Sequence, residues 1–256
     1  MKEKLINGRW NLWVPDAIAE WDAPTGDPAA RRGWEYARFE SFRHHLHWGD
    51  VLFDVGSEHG WISALLAREF VGAHSMVLFE PSPEFWVNIR RIWKWNNLDD
   101  PLGCWQGFVG EGGQRTVHPN MRSTRSSPEN TRTSAWPECA DASLAEVPGM
   151  AYRSLADPSD IPSVSIDEYI AATGIEPKAL NIDVEGAEGM VLRGAIEALT
   201  LPRSKLEMVW VSVHSDLMEG FGESDTELHV FMSECGWTGE FLGEDHEIHM
   251  FYTRDR

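Results

Sequence analysis

From Val51 onward the sequence alternates short apolar runs with longer stretches whose apolar residues recur at helical spacing, and this alternation restricts the chain to strand-helix-strand units around a parallel sheet. Val51 to Val55 reads as the first strand, and a helix through Trp61, Leu65, Leu66 and Phe70 follows it. Met76 to Phe79 reads as the second strand, ended by Glu80-Pro81, and Pro83 opens a helix with Phe85, Ile89, Ile92 and Trp93 on one face. Cys104 to Val109, Ala179 to Val184 and Glu207 to Val213 read as further strands, with helices over Ala187 to Leu199 and Thr226 to Cys235. Trp237 to Leu242 and Ile248 to Tyr252 read as an antiparallel hairpin at the sheet edge, joined through Gly243-Glu244-Asp245-His246. The expected fold is α/β: a doubly wound, Rossmann-like sheet, mostly parallel, with an antiparallel C-terminal hairpin.

Two regions stand outside this core: an extension that precedes the domain of residues 51–256, and a long insertion within it. Residues 1–50 form a Trp-rich extension with a helix expected around Trp34 to Leu46, and residues 110–162 form a long loop dense in Ser, Thr, Pro and Arg. A connection that long inside one domain is usually functional or disordered. The chain's 256 residues, 42% of them hydrophobic, suffice for one domain with decorations.

Charge narrows the partners. Asp and Glu number 41 against 22 Lys and Arg, a formal charge of −19 that repels phosphate backbones and anionic membranes, so neither nucleic acid nor membrane is expected as partner. The local concentration of Arg115, Arg122, Arg125 and Arg132 is the one feature against that. Cys104, Cys139 and Cys235 are odd in number and widely spaced, which suggests neither a disulfide framework nor a zinc site. With no apolar run of signal or spanning length, a cytoplasmic protein is expected.

Phe53-Asp54-Val55-Gly56-Ser57-Glu58-His59-Gly60 lies where the first strand passes into a helix. Glycines there let the backbone approach a ligand closely, although they would serve a tight turn equally well. Glu80 stands 24 residues after Gly56 at the end of the second strand, where a carboxylate can accept hydrogen bonds from both hydroxyls of an adenosine ribose. That spacing does not separate a dinucleotide from S-adenosylmethionine, but the middle glycine of G-x-G-x-x-G is missing. Glu58 adds an anion that could face a sulfonium or an amino group.

Asn181-Ile182-Asp183-Val184-Glu185-Gly186-Ala187-Glu188 repeats the strand-to-helix arrangement. Asp183 and Glu185, two apart in an extended segment, project to one side and could hold a divalent ion or a substrate hydroxyl, whereas Glu188 is expected to cap the following helix. His214, after the fifth strand, falls at the same edge and could remove a proton or join Asp183 on a metal. His44, His45 and His47 carry no such spacing.

The runs FDVGSEHGW, LFEPSPEFWVNIRRIWKWNN, VSIDEY and NIDVEGAEGMVLRGA, in this order, resemble the FkbM family of class I methyltransferases from about Val51 to the C-terminus. The resemblance implies methyl transfer from S-adenosylmethionine to an oxygen, commonly on a sugar or another small natural-product hydroxyl. It implies that Asp54, Gly56 and Gly60 belong to the cofactor loop, Glu80 to the ribose, and Asp183, Glu185 and Gly186 to the second acidic motif. The chain departs from the family pattern at Ser57-Glu58, where Ala-Asn is usual, and at Asn181, where Lys is usual.

The expected site is therefore Asp54, Gly56, Ser57, Glu58, Gly60 and Glu80 for the donor, with Asp183, Glu185 and His214 for catalysis and for a divalent ion. Mg²⁺ suits the carboxylates better than the imidazole, which casts His214 as the base. The acceptor is expected to meet the segments outside the core, where Trp10, Trp13, Trp21 and Trp34 could stack on the faces of a saccharide, a mannose-type or partly methylated one included, or pack a homodimer. O-methylation of a non-sugar natural product, N-methylation and nucleic-acid methylation are the alternatives; acidity and the absence of an Asn/Asp-Pro-Pro-aromatic tetrad disfavour the last two.

Overall fold

Each central strand sends apolar side chains into two separate cores, so both of its faces are covered and its sequence is mostly apolar. The computed structural model describes residues 1–19, 36–112, 120–121, 135–140, 161–244 and 247–254. It begins with β1 (Lys2–Ile6), β2 (Trp10–Val14), α1 (Asp16–Ala19) and α2 (Tyr36–His45). There follow β3 (Leu52–Val55), α3 (Trp61–Leu66), β4 (Met76–Glu80), α4 (Phe85–Trp95), β5 (Gly103–Gln106), β6 (Phe108–Val109) and β7 (Asn120–Met121). β8 (Ser163–Val164), α5 (Ile166–Thr173), β9 (Ala179–Ile182), α6 (Glu188–Arg193), α7 (Ile196–Thr200) and β10 (Met208–Val213) come next. The chain closes with α8 (Ser215–Met218), α9 (Asp225–Glu234), β11 (Trp237–Glu244) and β12 (Ile248–Arg254).

The main sheet has the order β11-β12-β10-β9-β3-β4-β5-β7. Its five central strands, β10, β9, β3, β4 and β5, are parallel, and β12, β11 and β7 pair antiparallel to their neighbours. This is the expected doubly wound sheet with its C-terminal hairpin. β12 inserts between β10 and β11, so β11 rather than the last strand forms the edge. The chain leaves β3 toward β4 and β5, then returns to β9 on the other side of β3. The crevice above the carboxyl ends of β3 and β9 is thus the switch point, the place where such sheets bind ligands.

Local chemistry explains where the elements break. The expected strand over Cys104 to Val109 divides at Gly107, where a Cβ would lie 2.4 Å from the Pro162 carbonyl, and β6 leaves the main sheet to pair with β8. The expected helix over Ala187 to Leu199 divides at Gly194, whose backbone passes close to Gly110; α7 then restarts with its Glu197 and Ala198 N–H groups donating to the Asp167 carboxylate at 2.7 and 3.0 Å. Ser165 and Glu168 form a reciprocal capping box that starts α5, a helix that periodicity does not single out.

Described residues among the first 50 contribute to the core. Trp10, 6% exposed, packs against Phe39 and Phe70, and Leu12 and Val14 beside it are fully buried. This corrects the expectation that Trp10 offers a face to a sugar. Trp13 is 41% exposed, but its backbone N–H and C=O are held by Asn96 at the end of α4 remote from the switch point. Trp21 and Trp34 lie outside the described residues, as do Arg115, Arg122, Arg125 and Arg132. Among the described residues no helix is long and apolar enough to cross a membrane.

Candidate active site

The loop after β3 is shaped by three left-handed residues. Gly56 (φ 89°) comes so near the second acidic motif that a Cβ there would lie 1.7 Å from the Asp183 carbonyl oxygen. Gly60 (φ 79°) lets α3 start against Ile89 of α4. Between them Glu58 holds φ 47°, a conformation unusual outside glycine, and its N–H donates to Glu80 Oε2 at 2.8 Å. The other carboxylate oxygen of Glu80 accepts from the Ser82 N–H, also at 2.8 Å. Glu80 is only 4% exposed, and burial pushes its pKa up to about 7 despite these two donors.

Asp54 stands beneath this loop. It accepts from Asn181 Nδ2 at 2.6 Å and from the hydroxyls of Ser57 and Ser63, and its burial raises its pKa. The network continues through Asn181, whose Oδ1 accepts from Arg38 Nη2 at 2.5 Å, to Asp183, whose Oδ2 accepts from Arg38 Nη1 at 3.1 Å. Arg38 is 1% exposed, also reaches Ser212, and lies over the Phe42 ring. A cation from α2 thus stands beside Asn181, where the family pattern has a lysine.

Asp183 and Glu185 do converge, though not through an extended backbone. Glu185 takes φ 56° and Gly186 φ 102°, and both Asp183 Oδ1 and Glu185 Oε2 lie 3.8 Å from Nε2 of His214. Glu188 is fully buried; its Oε1 accepts from the Gly186 N–H at 3.0 Å, ahead of a helix whose N-cap Ala187 has no side-chain cap, and also meets His214 Nδ1 at 2.8 Å. The second ring nitrogen of His214 meets Glu247 Oε2 at 2.8 Å. Burial alone would depress the His214 pKa, but Glu188, Glu247 and Asp183 outweigh it and push the value up to about 11. A carboxylate thus stands beside each ring nitrogen of His214.

These groups border one cavity of ≈ 590 Å³, within the range of cofactor pockets. Trp61, Phe79, Phe85 and Phe108 supply apolar wall, and Glu58, Glu80, Asp183, Glu185 and Glu247 face it as carboxylates. Burial, then repulsion from Asp183, Glu80, Glu185 and Glu247, pushes Glu58 up to about 8. Asp183 is raised to about 6 by burial and Glu247, against the pull of Arg38 and His214. The cavity is built to receive positive charge.

The family model for the methyltransferase FkbM domain matches residues 54–237. The chain belongs to the FkbM methyltransferase family. Among solved structures it is similar to an FkbM methyltransferase from Methylobacillus flagellatus KT, with 14% identity and TM-score 0.48 over 93% of this chain and 58% of that one. It is also similar to a precorrin-6y C5,15-methyltransferase from Geobacter metallireducens GS-15, with 10% identity and TM-score 0.43 over 87% and 88% of the two chains. A methyltransferase from Pyrococcus furiosus gives 10% identity and TM-score 0.42 over 93% and 92%. No curated protein matches. In this FkbM methyltransferase the matched span holds the glycine loop, Glu80, the second acidic motif and His214, but not Arg38 or Glu247. Sequence reasoning missed those two. Glu247 had a legible signal, because the residue preceding a strand antiparallel to β10 must lie near the end of β10, where His214 follows. Arg38 had none, since nothing local distinguishes it from other helical arginines.

Proposed function

We propose that this FkbM methyltransferase transfers the methyl group of S-adenosylmethionine to a hydroxyl of a sugar or oligosaccharide, with a divalent ion assisting. The observation that carries the reading is the ring of carboxylates around a partly apolar cavity at the switch point. The donor brings a sulfonium and an ammonium, which favour the ionised form of these carboxyl groups; a dinucleotide would bring a pyrophosphate, for which the acidic ring offers no cation. The residues also fit the donor: Gly56 lets the loop after β3 pack directly on the backbone of Asp183, and Glu80, held by two backbone donors, presents a fixed acceptor for ribose hydroxyls.

The acceptor oxygen attacks the methyl carbon from behind, the C–S bond breaks, and the sulfur leaves as a neutral thioether. The protein's work is therefore alignment and removal of the hydroxyl proton. Glu185, half exposed at the mouth and beside Asp183, is suited to take that proton and pass it to water. Asp183, fixed through Oδ2 by Arg38, orients the hydroxyl. The ion, when bound, stabilises the developing negative charge on oxygen. Carboxylates and aromatic rings at one mouth suit a polyol, which donates many hydrogen bonds and presents apolar faces. A net charge of −19 disfavours nucleic acid.

The test is transfer from labelled S-adenosylmethionine to a panel of sugars and oligosaccharides, with and without chelator. Label in a saccharide, reduced by EDTA, is the expected result. Label only in lipid, peptide or polyketide hydroxyls would replace the acceptor, and chelator-resistant transfer would remove the ion.

A further inference from the structure

We propose that Asp183, His214 and Glu247 form a binding site for a first-row transition dication of the Mn²⁺ or Fe²⁺ type rather than for Mg²⁺, with Glu188 orienting the imidazole. The inference rests on the ion-assisted reading above and gives it a ligand set and an ion class.

One atom from each of the three residues lies within 4.8 Å of the other two, a spacing that a small inward movement onto metal–ligand bonds of roughly 2.1 Å would close. The ligand atoms are also prepared on their far sides. Arg38 occupies Oδ2 of Asp183 and leaves Oδ1 directed at His214. Glu188, fully buried and fixed by the Gly186 N–H, holds Nδ1 of His214 at 2.8 Å and so turns Nε2 toward Asp183 and Glu247. A buried carboxylate on the remote nitrogen is how metal-binding imidazoles are usually fixed, and it sets which nitrogen keeps its proton. The Nε2 proton leaves to solvent when the ion takes its place. Glu247 immediately precedes β12 and lies outside the matched family span.

The donor set decides the ion class. Mg²⁺ favours oxygen ligands and retains much of its water, whereas an imidazole suits transition ions, and Mn²⁺ accepts both imidazole and carboxylate. Glu185 stands outside the set, half exposed and on a left-handed backbone.

The experiment titrates Mn²⁺ into the full-length, EDTA-stripped protein and follows free Mn²⁺ by electron paramagnetic resonance, with no turnover involved. One equivalent should bind. His214→Ala and Glu247→Gln should each weaken binding by at least about 10-fold, Glu188→Gln by about 10- to 100-fold, and Glu185→Gln by less than about 3-fold. Equimolar Mg²⁺ should not displace the ion. Should either ligand variant fail to fold by circular dichroism, Glu247→Asp, which keeps the charge and shortens the reach, must show the same loss. Absence of binding, unchanged binding in the Glu247 variants, or displacement by equimolar Mg²⁺ would overturn the proposal. A bound ion with no methylated sugar would contradict the acceptor reading alone; methyl transfer without any bound Mn²⁺ would overturn the ion site alone.

Discussion

At Glu80 two opposing effects meet: burial disfavours its charge, and backbone donors from Glu58 and Ser82 fix its two oxygens at the cavity, where the proposed reading puts a ribose. Charge-assisted hydrogen bonds contribute roughly 1.5–3 kcal/mol each, so Glu80→Gln should weaken S-adenosylhomocysteine binding by about 10-fold or more, read by calorimetry, while the protein stays folded. Arg38 carries a different cost. Its removal leaves the buried Asn181 and the partly buried Asp183 without their cation, so Arg38→Ala should lose about 3 kcal/mol in urea unfolding. Glu80, Gly56 and Asp183 were legible because each sits at a strand end, where local pattern predicts position. Arg38 was not, because it reaches the site by tertiary approach from α2; Glu247 was missed although its place before β12 set it near the end of β10.

Among the elements, the parallel strands and the helices beside them were legible from period alone, because burial on two faces leaves a continuous apolar run. The breaks were not. Gly107 and Gly194 divide a strand and a helix because other backbone passes beside them, a contact no local pattern records. The N-terminal hairpin did carry a signal, Asn7-Gly8, both of which adopt positive φ in its turn, and its tryptophans drew attention to ligand stacking instead. The two faces of β2 now separate those readings. Trp10→Ala should cost about 3–5 kcal/mol in denaturant unfolding, as a core aromatic does, whereas Trp13→Ala should cost less than about 1 kcal/mol. Neither should alter the Michaelis constant for a sugar.

The molecule as a whole gathers negative charge around its cavity, and this makes stability depend on pH in the ligand-free state. The folded pKa values of Glu80 and Glu58 are raised to about 7 and about 8 from 4.5, and that of His214 to about 11 from 6.5. Between pH 6 and 9 the folded state therefore binds more protons than the unfolded chain, and stability must fall as pH rises. Glu247, shifted downward, is ionised in both states across that window, and His59, lowered by burial to about 4 from 6.5, opposes the trend only toward pH 6, where the three raised groups outweigh it. The melting temperature should drop by at least about 5 °C from pH 6 to 9, each 1 kcal/mol being worth roughly 2–4 °C, and S-adenosylmethionine should restore more of it at pH 9 because its cation binds the deprotonated carboxylates. The most direct test of the central claim follows the transferred carbon itself: ¹³C-methyl-labelled S-adenosylmethionine is turned over with the best saccharide of the panel, and the product is read by nuclear magnetic resonance. The account predicts a ¹³C methyl ether on a sugar carbon, formed by the wild type and strongly reduced in Glu80→Gln and Glu185→Gln. A methyl group on nitrogen or carbon, or a methyl ether formed equally well by both variants, would contradict it.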